Sequence, residues 1–222
     1  MSNREADLAR FINQKSYQAV KVAAHLTAIL FPLFWFLDWF IVREQIWTNL
    51  YVRLVIVAYA LLLHEVLRKN ETWSIKHVYG LTLSLFLVAG GAIALMCWLH
   101  DGFESPYFSG LTLVVIASGV FPIFTFVQSI ILYSALYIIY MLPLLLGILA
   151  IKNSPVFFSN QLFLISPMFV MAFAHRQRYA LEARDFYAAK KERAQNTSLA
   201  EANTKLQEID KAKNQFFSNI TH

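Results

Sequence analysis

The sequence predicts an all-α membrane protein, with a six-transmembrane helix bundle followed by a cytoplasmic coiled-coil signalling helix. Hydrophobic residues fill 58% of the 222 positions and charged residues only 15%, which is too apolar for a soluble domain of this length. The apolar runs are continuous over about 20 residues rather than alternating, which favours spanning helices over a membrane barrel. Beyond residue 174 the composition changes abruptly to mixed charge, as in a helix exposed to water.

Apolar runs bounded by charge, turn residues or proline predict the six spans one by one. They cover residues 22–42, 50–67, 78–99, 108–126, 127–151 and 156–174. The fourth and fifth spans are the hardest to separate, because only residues 124–128 stand between them and Pro122 is the nearest breaker. A fused helix there would leave five spans. Residues 1–21 precede the bundle and do not resemble a cleavable signal peptide.

The distribution of charge favours an even number of spans with both ends in the cytoplasm. Lysines and arginines cluster before the first span, after the second and after the last, whereas residues 100–106 carry acids without lysine or arginine. This bias follows the positive-inside rule. We therefore expect a multi-pass membrane protein with both ends in the cytoplasm, in contact with membrane lipid. The net charge of +5 reflects this topology, and no basic tract indicates nucleic-acid binding.

Polar and aromatic side chains near the outer ends of the spans are the candidate ligand-binding residues. Asp38 ends the first span and Arg53 begins the second, so an ion pair at similar depth is expected, serving either structure or a ligand. An interfacial aromatic belt explains most of the aromatic members, and packing against a neighbouring helix is favoured over a polar ligand head for the amides. The candidates are Trp35, Asp38, Trp39, Arg53, Trp98, Tyr107, Phe108, Asn160 and Gln161.

Other features of the spans have simpler interpretations. Five ionisable residues are expected near the inner ends of the spans, where their side chains reach the headgroups: His25, His64, Glu65, His77 and His175. No paired His or Cys spacing along one helix predicts a metal site, and a single cysteine, Cys97, excludes an intramolecular disulfide. The pair Gly90 and Gly91 indicates close helix packing.

Residues 175–222 predict a soluble helix that forms a coiled coil. Apolar residues recur at three- and four-residue steps, with Lys213 interrupting one core position. The seam consists of Leu199, Ala202, Leu206, Ile209, Phe216 and Ile220. An amphipathic helix lying on the membrane is the alternative, but the apolar stripe is narrow and both signs of charge flank it. We expect a parallel homodimer.

The end of this helix resembles the linker and first dimerisation helix of sensor histidine kinases. The resemblance rests on the basic approach Lys211 and Lys213, on Phe216-Phe217, and on Ser218-Asn219-Ile220-Thr221-His222. In that family the segment leads into Glu-Leu-Arg-Thr-Pro, and its histidine is the phosphoacceptor. The resemblance therefore implies that His222 is phosphorylated and that Phe216 and Ile220 lie in the dimerisation core. A neutral imidazole is a suitable nucleophile at cytoplasmic pH.

The same resemblance implies a longer parent protein in the bacterial cytoplasmic (inner) membrane. The chain has no Gly-rich nucleotide loop and no Asp-x-Gly-x-Gly lid motif. We expect it to be the sensing portion of a kinase and to need no cofactor itself, while ATP and Mg²⁺ bind the kinase domain that lies outside it. A response regulator or receiver domain is the expected partner of that parent.

A second resemblance concerns the first two spans. Residues 31–39 and 49–53, with the basic loop after the second span, are similar to six-span sensor kinases that detect α-hydroxyketone quorum-sensing autoinducers. The resemblance implies a small lipophilic signal. The alternatives are a small transporter or channel with an oligomerising tail, and a membrane anchor for another output domain such as a cyclase. A transporter is disfavoured because the third and fifth spans are almost wholly apolar at their middles.

Overall fold

The structure, a computed structural model, describes residues 3–41, 45–69 and 74–220. All regular elements within these ranges are helical, which confirms the all-α class. The main helices are α1 (Asn3–Leu33), α2 (Trp35–Ile41), α3 (Ile46–Lys69), α4 (Ile75–Leu99), α5 (Phe108–Val120), α6 (Phe126–Leu145) and α7 (Ser154–Ile220). The chain divides into two compact units, Met1–Tyr179 and Ala180–His222, which are described separately.

Five helical stretches of the described chain are long and apolar enough to cross a membrane. They are Glu5–Phe40, Ile46–Lys69, Lys76–Leu99, Phe126–Leu145 and a part of Ser154–Phe216. The remaining apolar helix, α5, has 13 residues, so it rises about 20 Å against the roughly 30 Å of a bilayer's hydrocarbon core. The first unit is therefore a membrane-type helical bundle.

The first predicted span is not one straight helix. The helix α1 begins at Asn3, well before the predicted start at residue 22, and ends at Leu33. Phe34 forms a turn, and α2 continues from Trp35 to Ile41. Pro32 explains the interruption, because proline donates no hydrogen bond and its ring crowds the carbonyl one turn earlier.

The fourth and fifth predicted spans are separate helices, but their boundary is not at residues 126 and 127. The helix α5 ends at Val120 and α6 begins at Phe126. Phe121 still has helical φ and ψ, but Pro122 after it has no backbone N–H to donate to the carbonyl one turn earlier, so the helix does not continue. Thr125 and Gln128 then form a capping box, in which each side chain bonds the backbone N–H of the other residue.

The fifth predicted span also ends early, at Leu145 instead of residue 151. Gly147 adopts a left-handed conformation with φ of 69°. The Ile148 N–H donates to the Pro143 carbonyl at 2.8 Å and the Gly147 N–H donates to the Leu144 carbonyl at 3.1 Å. These bonds make a Schellman motif, which ends a helix by satisfying its last carbonyls.

The helix α4 is central to the first unit, since it packs against α1, α3, α5 and α6. A Cβ atom at Gly90 would overlap a terminal methyl group of Leu136 on α6, so the two helices approach closely at this glycine, as predicted. The helix α3 presents one buried stripe to the bundle, consisting of Ile46, Asn49, Arg53, Ile56, Ala60, Leu63 and Leu67.

The second unit contains the remainder of α7. Four apolar residues of the predicted coiled-coil seam are 62% to 65% exposed in the single chain: Leu199, Leu206, Ile209 and Phe216. Ala202 is exposed as well. The side chain of Ile220 and the whole of His222 lie outside the described residues.

Candidate functional site

The ion pair expected between Asp38 and Arg53 is present and buried. Arg53 Nε donates to Asp38 Oδ2 and Arg53 Nη2 donates to Asp38 Oδ1, both at 2.8 Å. Asp38 is fully buried and Arg53 is 5% exposed. The helix α2 packs against α3, which follows it in the chain, so Asp38 in the first turn of α2 meets Arg53 near the start of α3. The bidentate geometry is the stronger form of a charge-assisted hydrogen bond.

Three further side chains extend this ion pair into a directed hydrogen-bond chain. His100 Nε2 lies 2.8 Å from Asn49 Oδ1, and Asn49 Nδ2 donates to the Tyr107 hydroxyl at 2.7 Å. The Tyr107 hydroxyl then donates to Asp38 Oδ1 at 3.0 Å. This arrangement requires His100 Nε2 to carry a hydrogen, so that every donor points towards the carboxylate. The hydrogen bonds of such a chain polarise and strengthen one another in a low-dielectric interior.

Burial sets the protonation of the two titratable groups in the loop that follows α4. The pKa of His100 is lowered chiefly by burial, against the attraction of Asp38 and Asp101. The pKa of Tyr107 is raised, first by burial and then by the neighbouring charge of Asp38. The imidazole is therefore neutral and the phenol protonated at neutral pH, as the direction of the hydrogen bonds requires.

An apolar cavity of about 220 Å³ lies beside this chain of polar groups. Side chains of α1, α4 and α5 form its walls. Residues in and around α2 and α3, and the residue before α5, also line it: Phe34, Leu37, Asp38, Arg53 and Tyr107. The helix α5 faces the cavity with Gly110, Leu113, Val114 and Ala117, and Phe121 lines it just beyond the end of this helix. The arrangement joins an apolar space to hydrogen-bonding groups fixed by their own contacts, which is a usual design of small-molecule sites.

Of the predicted ligand residues, three line this cavity and the others lie elsewhere. The three residues that line it are Asp38, Arg53 and Tyr107. Trp39 is 55% exposed, and Trp35 is half-buried with no hydrogen-bond partner for its indole N–H among the described residues. Their assignment to ligand binding stays a prediction.

The other four predicted residues lie around Tyr140 and Phe103: Trp98, Phe108, Asn160 and Gln161. The Trp98 indole donates to the Tyr140 carbonyl at 3.2 Å, and the Phe108 ring lies 6.1 Å from the Tyr140 ring. Asn160 Nδ2 donates to the Phe103 carbonyl at 2.9 Å. Gln161 is buried beside the Tyr140 hydroxyl, yet neither of its amide atoms has a partner at normal geometry within the described chain. The contact of Asn160 fits the packing interpretation, and a role of Gln161 in packing or in ligand binding stays a prediction.

The five ionisable residues expected near the headgroups behave differently from one another. His77 is exposed and shares a hydrogen bond with Ser74, and Glu65 is partly buried beside Arg68. For His175 the expectation is wrong, because its ring is fully buried against Phe124 of the preceding loop and Tyr133 of α6. Its position at the inner end of a predicted span did not reveal that the loop between α5 and α6 covers it.

Two residues of the polar chain, Asn49 and His100, were not among the predicted site residues. For Asn49 a signal exists in the sequence, since Asn49, Arg53, Ile56 and Ala60 follow one another at three- and four-residue steps on a single face of α3. For His100 no local signal exists, because its partner lies 51 positions earlier in the chain. Within the described residues no three His, Cys, Asp or Glu side chains group as metal ligands would.

Comparison with known proteins gives one match. The family model MASE8 matches residues 36–193, which include the ion pair, α3 to α6 and the first part of α7. No curated protein matches, and no solved structure matches.

Proposed function

Since the chain belongs to the MASE8 family of membrane-associated sensory domains, we propose that it is the input module of a membrane histidine kinase in a two-component system. It would bind a small, largely apolar signal in the cavity between α1, α4 and α5, and pass the signal through α7 to a dimeric coiled coil and the phosphoacceptor His222. The observation that carries this proposal is the apolar cavity beside the buried Asp38–Arg53 pair.

The size of the cavity limits the ligand. An apolar cavity of about 150 Å³ in a protein core stays dry and binds benzene. The volume here, about 220 Å³, is half as large again. On that scale the signal has about nine non-hydrogen atoms. The walls favour a hydrocarbon body, which is consistent with the lipophilic autoinducer-like signal that the resemblance implies.

The polar groups define the head of such a ligand. Asp38 already receives two bonds from Arg53 and one from Tyr107, so its charge is compensated. Arg53 Nη1 has only a long contact, 3.4 Å to the Phe31 carbonyl. A neutral ligand with a hydrogen-bond acceptor would therefore gain the most from this end of the cavity, whereas the desolvation of a free carboxylate would not be repaid, because Arg53 is already paired with Asp38.

The short helix α5 is the element that we assign to transmission. One side of it lines the cavity, and Gly119 on α5 approaches Met171 on α7 so closely that an added Cβ would overlap the methionine side chain. Arg178 on α7 also donates a hydrogen bond to the Val120 carbonyl at the end of α5. A ligand that moves α5 would therefore act on α7 directly, as a population shift between two packings.

The proposal includes the topology and the assembly. Six spans, with α5 as the short fourth one, would leave both ends in the cytoplasm, and the charge bias supports this orientation. The exposed apolar stripe of the second unit would be covered in a parallel homodimer. ATP and Mg²⁺ would be bound by the kinase domain of the parent, and a response regulator would receive the phosphoryl group.

Binding of alkan-2-ones of increasing chain length to the purified protein in detergent tests the cavity. Each carries one acceptor and a hydrocarbon tail, so thermal stabilisation should rise with chain length, by about 0.8 kcal/mol of binding free energy per buried methylene, until the cavity is full. The variant Ala117→Leu fills part of the cavity and should shorten the optimum chain or abolish the stabilisation.

The matched control is Ala58→Leu, the same change at an exposed position of α3. It should keep the wild-type profile, which separates binding in the cavity from partition into detergent. An equal response of the wild type and of Ala117→Leu at every chain length would overturn the assignment of the cavity.

A further inference from the structure

Two histidines from different helices meet where α1 packs against α3. His25 on α1 and His64 on α3 approach with 3.5 Å between their Nδ1 atoms, and their rings are edge to face with centroids 4.7 Å apart. His25 is exposed and His64 is partly buried. Within the described chain neither ring has another hydrogen-bond partner.

A hydrogen bond explains this contact poorly. The usual N–H···N or N–H···O distance in proteins is about 2.9–3.0 Å, and a contact near 3.6 Å no longer counts as a hydrogen bond. The observed 3.5 Å is at that limit. Two neutral imidazoles also share at most one such bond, from the Nδ1–H of one ring to the Nδ1 lone pair of the other, and either ring can be the donor.

The distance matches a shared metal ion better. Imidazole nitrogens bind Zn²⁺ at about 2.0–2.1 Å, so two of them at a tetrahedral angle are separated by about 3.3–3.4 Å. The two Nδ1 atoms, at 3.5 Å, are within about two tenths of an ångström of that separation. We propose that His25 and His64 form a two-histidine site for a divalent transition-metal ion, which bridges α1 and α3 through their Nδ1 atoms.

The surroundings determine the type of ion and its remaining ligands. Imidazole favours Zn²⁺, Ni²⁺ and Cu²⁺ over Ca²⁺ and Mg²⁺, and Cu²⁺ binds most tightly in the divalent series. The nearby carboxylate of Glu65 is engaged by Arg68 at 2.8 and 2.9 Å, so water or an external ligand completes the coordination. Because His25 is exposed, the ion has access from outside the bundle.

The spacing of histidines along the sequence did not predict this site, because its ligands are 39 positions apart. The proposal is independent of the cavity and of any kinase activity.

Titration of the purified protein with Cu²⁺, using an affinity tag without histidine, tests the proposal. The expected result is one Cu²⁺ per chain and a pulsed electron paramagnetic resonance spectrum of two imidazole ligands. An ion bound by one histidine is already held beside the other, so the second contact raises the affinity strongly. The variants His25→Ala and His64→Ala lose this second contact, and each should bind Cu²⁺ about 100-fold more weakly than the wild type.

The control variant is His77→Ala, which removes another exposed histidine and should leave the affinity unchanged. Zn²⁺ should raise the melting temperature of the wild type and of His77→Ala but not of the two ligand variants. If a ligand variant does not fold, the spectrum of the wild type still decides. A wild type without bound Cu²⁺, a spectrum of one imidazole, or equal affinity in all variants would overturn the site.

Discussion

Asp38 of α2 and Arg53 of α3 are joined by two hydrogen bonds of 2.8 Å and line one apolar cavity together. Asp38 is fully buried, and its Oδ1 also accepts a bond from Tyr107. The pair therefore fixes the link between the first two membrane helices and, at the same time, provides polar groups to the cavity.

Removal of one partner of this pair should destabilise the first unit strongly. A buried charge left without its partner costs about 3–5 kcal/mol. We expect Asp38→Leu and Arg53→Met each to lose about this much, and the double variant to lose less than the sum, because neither charge then remains. Unfolding in mixed detergent measures the three values.

The matched control is Glu65→Gln, which breaks the exposed pair of Glu65 with Arg68. It should leave the unfolding curve nearly unchanged, since solvent screens an exposed pair. Additive losses in the Asp38 and Arg53 cycle would contradict a direct interaction between them.

Acidification should weaken the polar chain through His100. Burial lowers the pKa of His100 from its ordinary value near 6.5, so the folded state holds the neutral ring while the unfolded state takes up a proton. The stability that depends on the neutral His100 ring is complete above pH 6.5. It is lost as the pH falls from 6.5 through the lower pKa that His100 has in the folded state.

Melting temperatures at a series of pH values between neutrality and about pH 5 test this effect. The His100→Asn variant, which does not titrate, should lose less stability on acidification than the wild type. The exposed His77→Asn variant should follow the wild type. Parallel curves for His100→Asn and the wild type would exclude His100 as a source of the pH dependence.

The contact of Gly119 with Met171 should be sensitive to one added methyl group. A Cβ at Gly119 would overlap the side chain of Met171, and overpacking of this kind costs about 1–3 kcal/mol. We expect Gly119→Ala to lower thermal stability and Gly119→Ala with Met171→Ala to recover part of the loss. Gly80→Ala, at a site with no atom within 4 Å of the added group, should be neutral or slightly stabilising. Equal effects at the two glycines would contradict a tight α5–α7 contact.

The coiled-coil seam should respond to charge according to position. In a dimer, Leu206→Lys and Ile209→Lys would bury a charge in the core and separate the chains, whereas Thr204→Lys lies on the outer face and should not. Cross-linking of the protein in vesicles gives the measurement. Dimers of equal yield in all three variants would exclude this seam as the interface.

The features set by long stretches of sequence were predictable. Continuous apolar runs placed the long helices, and the matching depths of Asp38 and Arg53 predicted their ion pair, because both depend on the distance along a helix. The break after Val120 was also accessible, since Pro122 and the sequence Thr-x-x-Gln at Thr125 are both boundary signals. Only the proline was used in the prediction.

The remaining features depend on how helices pack, which one sequence does not specify. The cavity is formed by residues from Ala23 to Phe121. The His25–His64 contact and the burial of His175 likewise require the relative rotation of helices. Local periodicity gives the face of one helix, but it does not give the neighbour that this face meets.

Phosphorylation of His222 in membrane vesicles of the complete kinase is the most direct test of the account as a whole. Vesicles given labelled ATP and the alkan-2-one of optimum length should change the rate of labelling of the wild type and of Ala58→Leu, but not of Ala117→Leu. The label should be absent from His222→Gln. A ligand response that is the same in Ala117→Leu as in the wild type, or labelling that persists in His222→Gln, would contradict the proposed path from the cavity to the phosphoacceptor.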